Sequence, residues 1–169
     1  MNYKRLIFLF GLVFLIGTAA SAQQFRYIGA NKCKVCHNKP NKGEQYNVWA
    51  EGPHANSLES LEGAEKEDPT CLKCHSTAGS VDDNLLAGLK VDEGVSCESC
   101  HGPGSVYKSA AIMRNKKLAL SKGMTEPTEE TCKDCHLGEK PAGHPEAPKP
   151  WNYEEFVKVI AHDDPTTDN

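Results

Sequence analysis

The sequence predicts a mostly α-helical domain with long loops, built around something other than its own side chains. Three observations carry this. Strand signals are nearly absent, five separate segments show helical periodicity, and the 38% apolar content of the 169 residues is inflated by an apolar run at the very start.

That run is considered first. Lys4 and Arg5 precede apolar residues 6–17, and Ala20, Ser21 and Ala22 then supply small side chains for cleavage. The pattern is that of a secretory signal peptide over residues 1–22, with a domain over 23–169, because about a dozen apolar residues fall short of the roughly 20 a spanning helix needs. The first cysteine is Cys33, so no lipid attachment is expected in the leader, and no later stretch is apolar enough to span a membrane. Loss of Lys4 and Arg5 moves the formal charge from −4 to about −6, a balance that argues against nucleic acid as a partner.

The helical segments follow in order. Residues 45–50, 53–61, 106–121, 128–137 and 153–161 read as helices; Pro53 suits a first turn, and Asn152 with Glu155 resembles a capping box. Residues 138–150 hold Pro141, Pro145, Pro148 and Pro150 and read as an extended connector, and 163–169 as an acidic, polar end.

All eight cysteines fall in four pairs with two residues between them, each followed at once by histidine: Cys33, Cys36, His37; Cys71, Cys74, His75; Cys97, Cys100, His101; and Cys132, Cys135, His136. A zinc ribbon needs no histidine after each pair, a disulfide framework needs no such spacing, and a thioredoxin-type site uses one motif in a strand–helix unit. C-x-x-C-H is the c-type haem attachment motif: two thiols join one haem, and the adjacent imidazole becomes an axial ligand of its iron. The expected cofactors are four covalently bound haems c. The motif spacings are irregular, so the chain is one compact multihaem unit in which porphyrin faces replace much of the core.

Three histidines remain for the far sides of the irons. His54 shares a helical face with Leu58 and Leu61, His162 closes the helix carrying Tyr153, Phe156, Val157 and Ile160, and His144 stands in the connector without periodic support. Three cannot serve four irons. Methionine is the usual substitute; Met113 shares a face with Val106 and Ala110, whereas Met124 follows Gly123 in a turn.

The chain resembles the tetrahaem cytochrome c-554 family. The resemblance covers most of the mature chain and rests on Trp49 and His54 to Leu58 after the first motif, on the stretch from Cys97 through His101 to Gly104, and on the closing 153–162 segment. It implies His54 as distal ligand of the third haem and His162 of the fourth, with the second haem, on His75, lacking a protein ligand on its far side. It also implies a first-haem ligand from a histidine after the third motif. No histidine lies between His101 and His136, so Met113 is the preferred replacement, and His144 is the rival for the first or second haem.

The expected function is periplasmic or extracellular electron transfer, with redox proteins as donor and acceptor and no catalytic side chain. The acidic balance points to partners with basic charge. Two rival readings are a haem enzyme acting on a small nitrogen or oxygen species at an open iron, and a subunit of a cytochrome filament or respiratory complex.

Overall fold

The computed structural model describes residues 24–165; the expected signal peptide lies outside the described residues. Short α-helices and 3-10 turns joined by long loops make up the chain, and the described residues contain no strand, only an isolated bridge between Tyr27 and Leu86. No helix among them is long and apolar enough to cross a membrane.

Four of the helices carry the four motifs, and each ends on its histidine: Ala30–His37, Pro69–His75, Cys97–His101 and Glu129–His136. Residues at i, i+3 and i+4 of a helix lie on one face, so both thiols and the imidazole of a motif project together. Local chemistry sets the helix starts. Asp68 accepts the Thr70 N–H at 2.8 Å ahead of Pro69, and Asn152 caps the Tyr153–Ile160 helix by accepting from the Glu155 N–H at 3.2 Å. Of these motif helices, only the last lies within a segment predicted from periodicity.

Two predicted helices are corrected. Residues 53–61 form a turn followed by a 3-10 turn, Ser57–Ser60, because tertiary bonds claim the backbone. The His54 carbonyl accepts from Val95 N–H at 2.9 Å, and the Asn56 amide donates to the Gly52 carbonyl at 2.9 Å. Gly94, at φ +62°, permits this approach, since a Cβ there would stand 2.7 Å from the carbonyl oxygens of both His54 and Ala55. The predicted 106–121 helix is two pieces, Ala110–Met113 and Lys116–Leu120, and Asn115 caps the second by accepting the Leu118 N–H at 2.9 Å. Val106 therefore shares no helical face with Met113.

The buried apolar set is small: Ile28, Ala30, Leu61, Leu72, Ala78, Leu89, Tyr107 and Ala119. Buried polar groups do much of the joining. Glu98, 1% exposed, accepts backbone N–H bonds from Ile28 (2.9 Å), Gly29 (2.8 Å) and Gly104 (2.6 Å), tying the third-motif helix to the entering chain and to the loop that follows it. Burial pushes its carboxyl above the ordinary range, and the three N–H bonds pull the other way. Tyr107 O–H donates to the Gly102 carbonyl at 2.9 Å, and Trp49 Nε1–H to the Val95 carbonyl at 2.9 Å, just ahead of the third motif.

Candidate haem-ligating site

An imidazole binds iron through one nitrogen and is aimed by the bond its other nitrogen makes. Three of the motif histidines show such a bond. His75 Nδ1 lies 3.0 Å from the Ser57 carbonyl and 3.1 Å from Ser60 Oγ, His101 Nδ1 is 3.4 Å from the Thr125 carbonyl, and His37 Nδ1 is 3.2 Å from Gln45 Oε1. A carbonyl oxygen only accepts, so the Nδ1 carries the hydrogen and the Nε2 lone pair is left for a metal. His144 is held the same way, donating to the Pro145 carbonyl at 2.7 Å.

Each of the three histidines outside the motifs faces a motif histidine. Ring centroids are 6.2 Å apart for His54 and His136, 6.4 Å for His144 and His75, and 5.9 Å for His162 and His101. A metal–imidazole nitrogen bond is about 2 Å and a ring centroid lies about 1 Å behind its nitrogen, so two imidazoles on opposite sides of one iron have centroids roughly 6 Å apart. The donor set and its spacing therefore fit haem iron. Burial also lowers the pKa of His54, His101, His136 and His162, which keeps these rings neutral and their lone pairs available.

These pairings correct the ones the resemblance implies. His54 faces the fourth motif and His162 the third, the reverse of the expected order, and His75 is not left alone. The path of the tail accounts for the exchange. The last helix ends at Ile160, and His162 lies beyond it in a segment whose Asp163 carbonyl accepts from Gln45 Nε2 at 2.9 Å. The tail also packs on Gly43, whose φ of +86° and missing side chain leave room for it. This brings His162 to the first motif, and the first motif borders the third, since the Cys33 and Cys97 side chains are in contact. His136 is enclosed from the other side by Trp151 at 5.2 Å and Phe156 at 5.8 Å, which are stacked on each other at 5.3 Å.

The cysteines show which motifs are neighbours. Cys33 meets Cys97, Cys74 meets Cys135, and Cys100 lies close to both Cys132 and Cys135. Contact with Cys33 raises the Cys97 thiol pKa, and burial, with Cys74 alongside, pushes that of Cys135 up to about 11. His37 has no facing ring among the described residues. Met113 ends the short Ala110–Met113 helix, half-buried. Periodicity could not reveal Gln45, Ser57 and Thr125, whose only signal is their contact with a ligand from another segment.

Thiol pairs on the last turn of a helix, with an aimed imidazole beside them and a second facing it, define a c-type cytochrome, a protein with covalently bound haem c. A family model described as cytochrome c554 and c-prime matches residues 32–102. Cytochrome c-554 of Nitrosomonas europaea is 30% identical over an alignment of 139 residues, covering 64% of this chain and 57% of that protein, so the chain spans little more than half its relative's length. The structure of the reduced state of cytochrome c554 from Nitrosomonas europaea shares the fold, with a TM-score of 0.54 at 24% identity over 83% of this chain and 86% of that one. The chain is thus similar to the cytochrome c-554 family, the family model spanning its first three motifs, and it shares that protein's fold.

Proposed function

We propose that the chain is a periplasmic or extracellular electron carrier holding four haems c on Cys33/Cys36, Cys71/Cys74, Cys97/Cys100 and Cys132/Cys135, with His37, His75, His101 and His136 as proximal ligands. His136, His75 and His101 have distal partners in His54, His144 and His162. The carrying observation is the set of three facing histidine pairs at 5.9–6.4 Å. When bound, the haems supply reversible one-electron chemistry; the protein holds the axial imidazoles, sets their basicity through Nδ1 bonds and excludes water. The neighbouring cysteines support the haem order first, third, fourth, second, with the first and second motifs at the two ends. Intact mass and haem stoichiometry of the exported protein test the count; a value other than four rejects it.

Met113 is the proposed distal ligand of the first haem. Met113→Leu preserves volume, so stability should change by less than about 1.5 kcal/mol, while the weak near-infrared band of ferric His/Met ligation disappears and that haem's potential shifts. Unchanged spectra would make Met113 a packing residue. The first haem would then be the open one, which is the observation that would favour the enzymatic reading.

Gln45 braces two ligands at once, accepting from His37 and holding the backbone beside His162. Gln45→Leu is expected to move the first haem's potential and to let exogenous imidazole displace His162 about 10-fold more readily. Potentiometry with ligand titration reads both, and His162→Ala should let imidazole bind at the haem on His101 directly while leaving the first haem's potential unchanged.

A further inference from the structure

The charge of the whole chain, −4, is not the charge at the end of the haem row where the first motif stands. Residues 30–42, which comprise the helix Ala30–His37 and the turn Pro40–Lys42 preceded by Lys39, carry Lys32, Lys34, Lys39 and Lys42 with no acidic residue among them, and all four lysines are exposed. None is in an ion pair among the described residues. In their midst Val35 is 69% exposed and Cys36, one of the attachment cysteines, is exposed as well. Lys34 Nζ sits 4.8 Å from the centroid of the Tyr46 ring, which holds that charge in place. The carboxylates around this face are Glu93, whose Oε2 accepts from the Ala30 N–H at 2.6 Å at the start of the helix, the buried Glu98 on Gly29, Glu44, whose Oε1 accepts from the Asn47 amide, and those of the tail that packs on Gly43. The lysines from Lys32 to Lys42 therefore stand beyond the end that Glu93 holds.

The other end carries the opposite sign. Glu59, Glu62, Glu65, Glu67 and Asp68, offset by Lys66, are exposed on the segment that packs against the second-motif helix Pro69–His75, whose own exposed charge is Lys73, which leaves this end acidic.

We infer that a redox protein with an acidic surface around its own centre docks on the Lys32–Lys42 face and exchanges electrons at the first haem, while the acidic segment repels it from the second. This rests on the electron-carrier reading and reverses, for this face, the basic partner that net charge suggests. An exposed apolar residue ringed by lysines over a haem attachment edge suits a small, transient interface, in which charge steers the encounter and apolar contact seats it.

The test uses the holoprotein after its haem count is established, so that failure of the carrier reading is recognised separately. Hexacyanochromate(III), an anionic, redox-inert paramagnet, should broaden the methyl resonances of the first haem before those of the other three. Hexaamminechromium(III), its cationic counterpart, should broaden those of the second. Plant-type ferredoxin is the acidic protein probe. Its second-order rate should fall about tenfold between low and high salt, and by a similar factor in Lys32→Glu/Lys39→Glu/Lys42→Glu, with Lys→Gln at the same positions intermediate. Glu59→Gln/Glu62→Gln, which relieves repulsion at the second haem, should not lower that rate. Uniform broadening by the anion, or ferredoxin rates indifferent to the lysines, would overturn the proposal. So would binding to anionic vesicles through these lysines without any effect on ferredoxin, which would make the face a membrane contact.

Discussion

His144→Ala is expected to convert the haem on the second motif from a six-coordinate low-spin centre to an open high-spin one. The imidazole centroids of His144 and His75 are 6.4 Å apart, and each ring is aimed by a bond from Nδ1 to a backbone carbonyl, at 2.7 Å to Pro145 and 3.0 Å to Ser57. Alanine removes the ring that faces His75 among the described residues without touching the helix that carries the motif. A high-spin electron paramagnetic resonance signal should appear for one haem in four, and cyanide or carbon monoxide, slow to bind the parent protein, should bind rapidly at that haem. His54→Ala and His162→Ala are the matched controls and should open the haems on His136 and His101 instead. A variant with unchanged spectra and no new ligand binding would show that His144 merely lies near the site, and the enzymatic reading would again have an open second haem to work with.

Glu98→Leu is expected to cost about 3–5 kcal/mol of stability. The leucine is of similar bulk, but it leaves the N–H groups of Ile28, Gly29 and Gly104 buried and unpaired, and each orphaned donor costs about 1–3 kcal/mol less whatever local relaxation recovers. A domain's total stability is about 5–15 kcal/mol, so the loss is a large fraction of it. Glu98→Gln should fall between the two, because the amide oxygen can still accept while its NH2 meets an N–H donor. Denaturant unfolding of the holoprotein at neutral pH measures all three. A loss below about 1 kcal/mol for the leucine variant would mean that water or a shifted loop already serves these donors.

The two predictions differ in how far the sequence alone could have taken them. His144 was visible as a spare histidine, but nothing in a proline-rich stretch says which iron it would face. Glu98 was visible only as a residue between two attachment cysteines; that its carboxylate is buried under three backbone donors depends on where the entering chain runs. Residues 53–61 make the same point in reverse. Their apolar spacing is helical, yet Val95 and Asn56 take the backbone bonds a helix would have used.

The sequence by itself determined the attachment chemistry, because two thiols and an imidazole at i, i+3 and i+4 come together on one helical turn without help from any other part of the chain. It also determined the helical character and the identity of the three spare histidines. Only the tertiary structure decided which histidine faces which motif. It did so by carrying His162 on a tail anchored at Gln45 and Gly43, packing Trp151 and Phe156 around His136, and placing Cys33 against Cys97. A facing ligand comes from a segment distant in sequence, and its position is set by contacts between loops that have no periodicity to read.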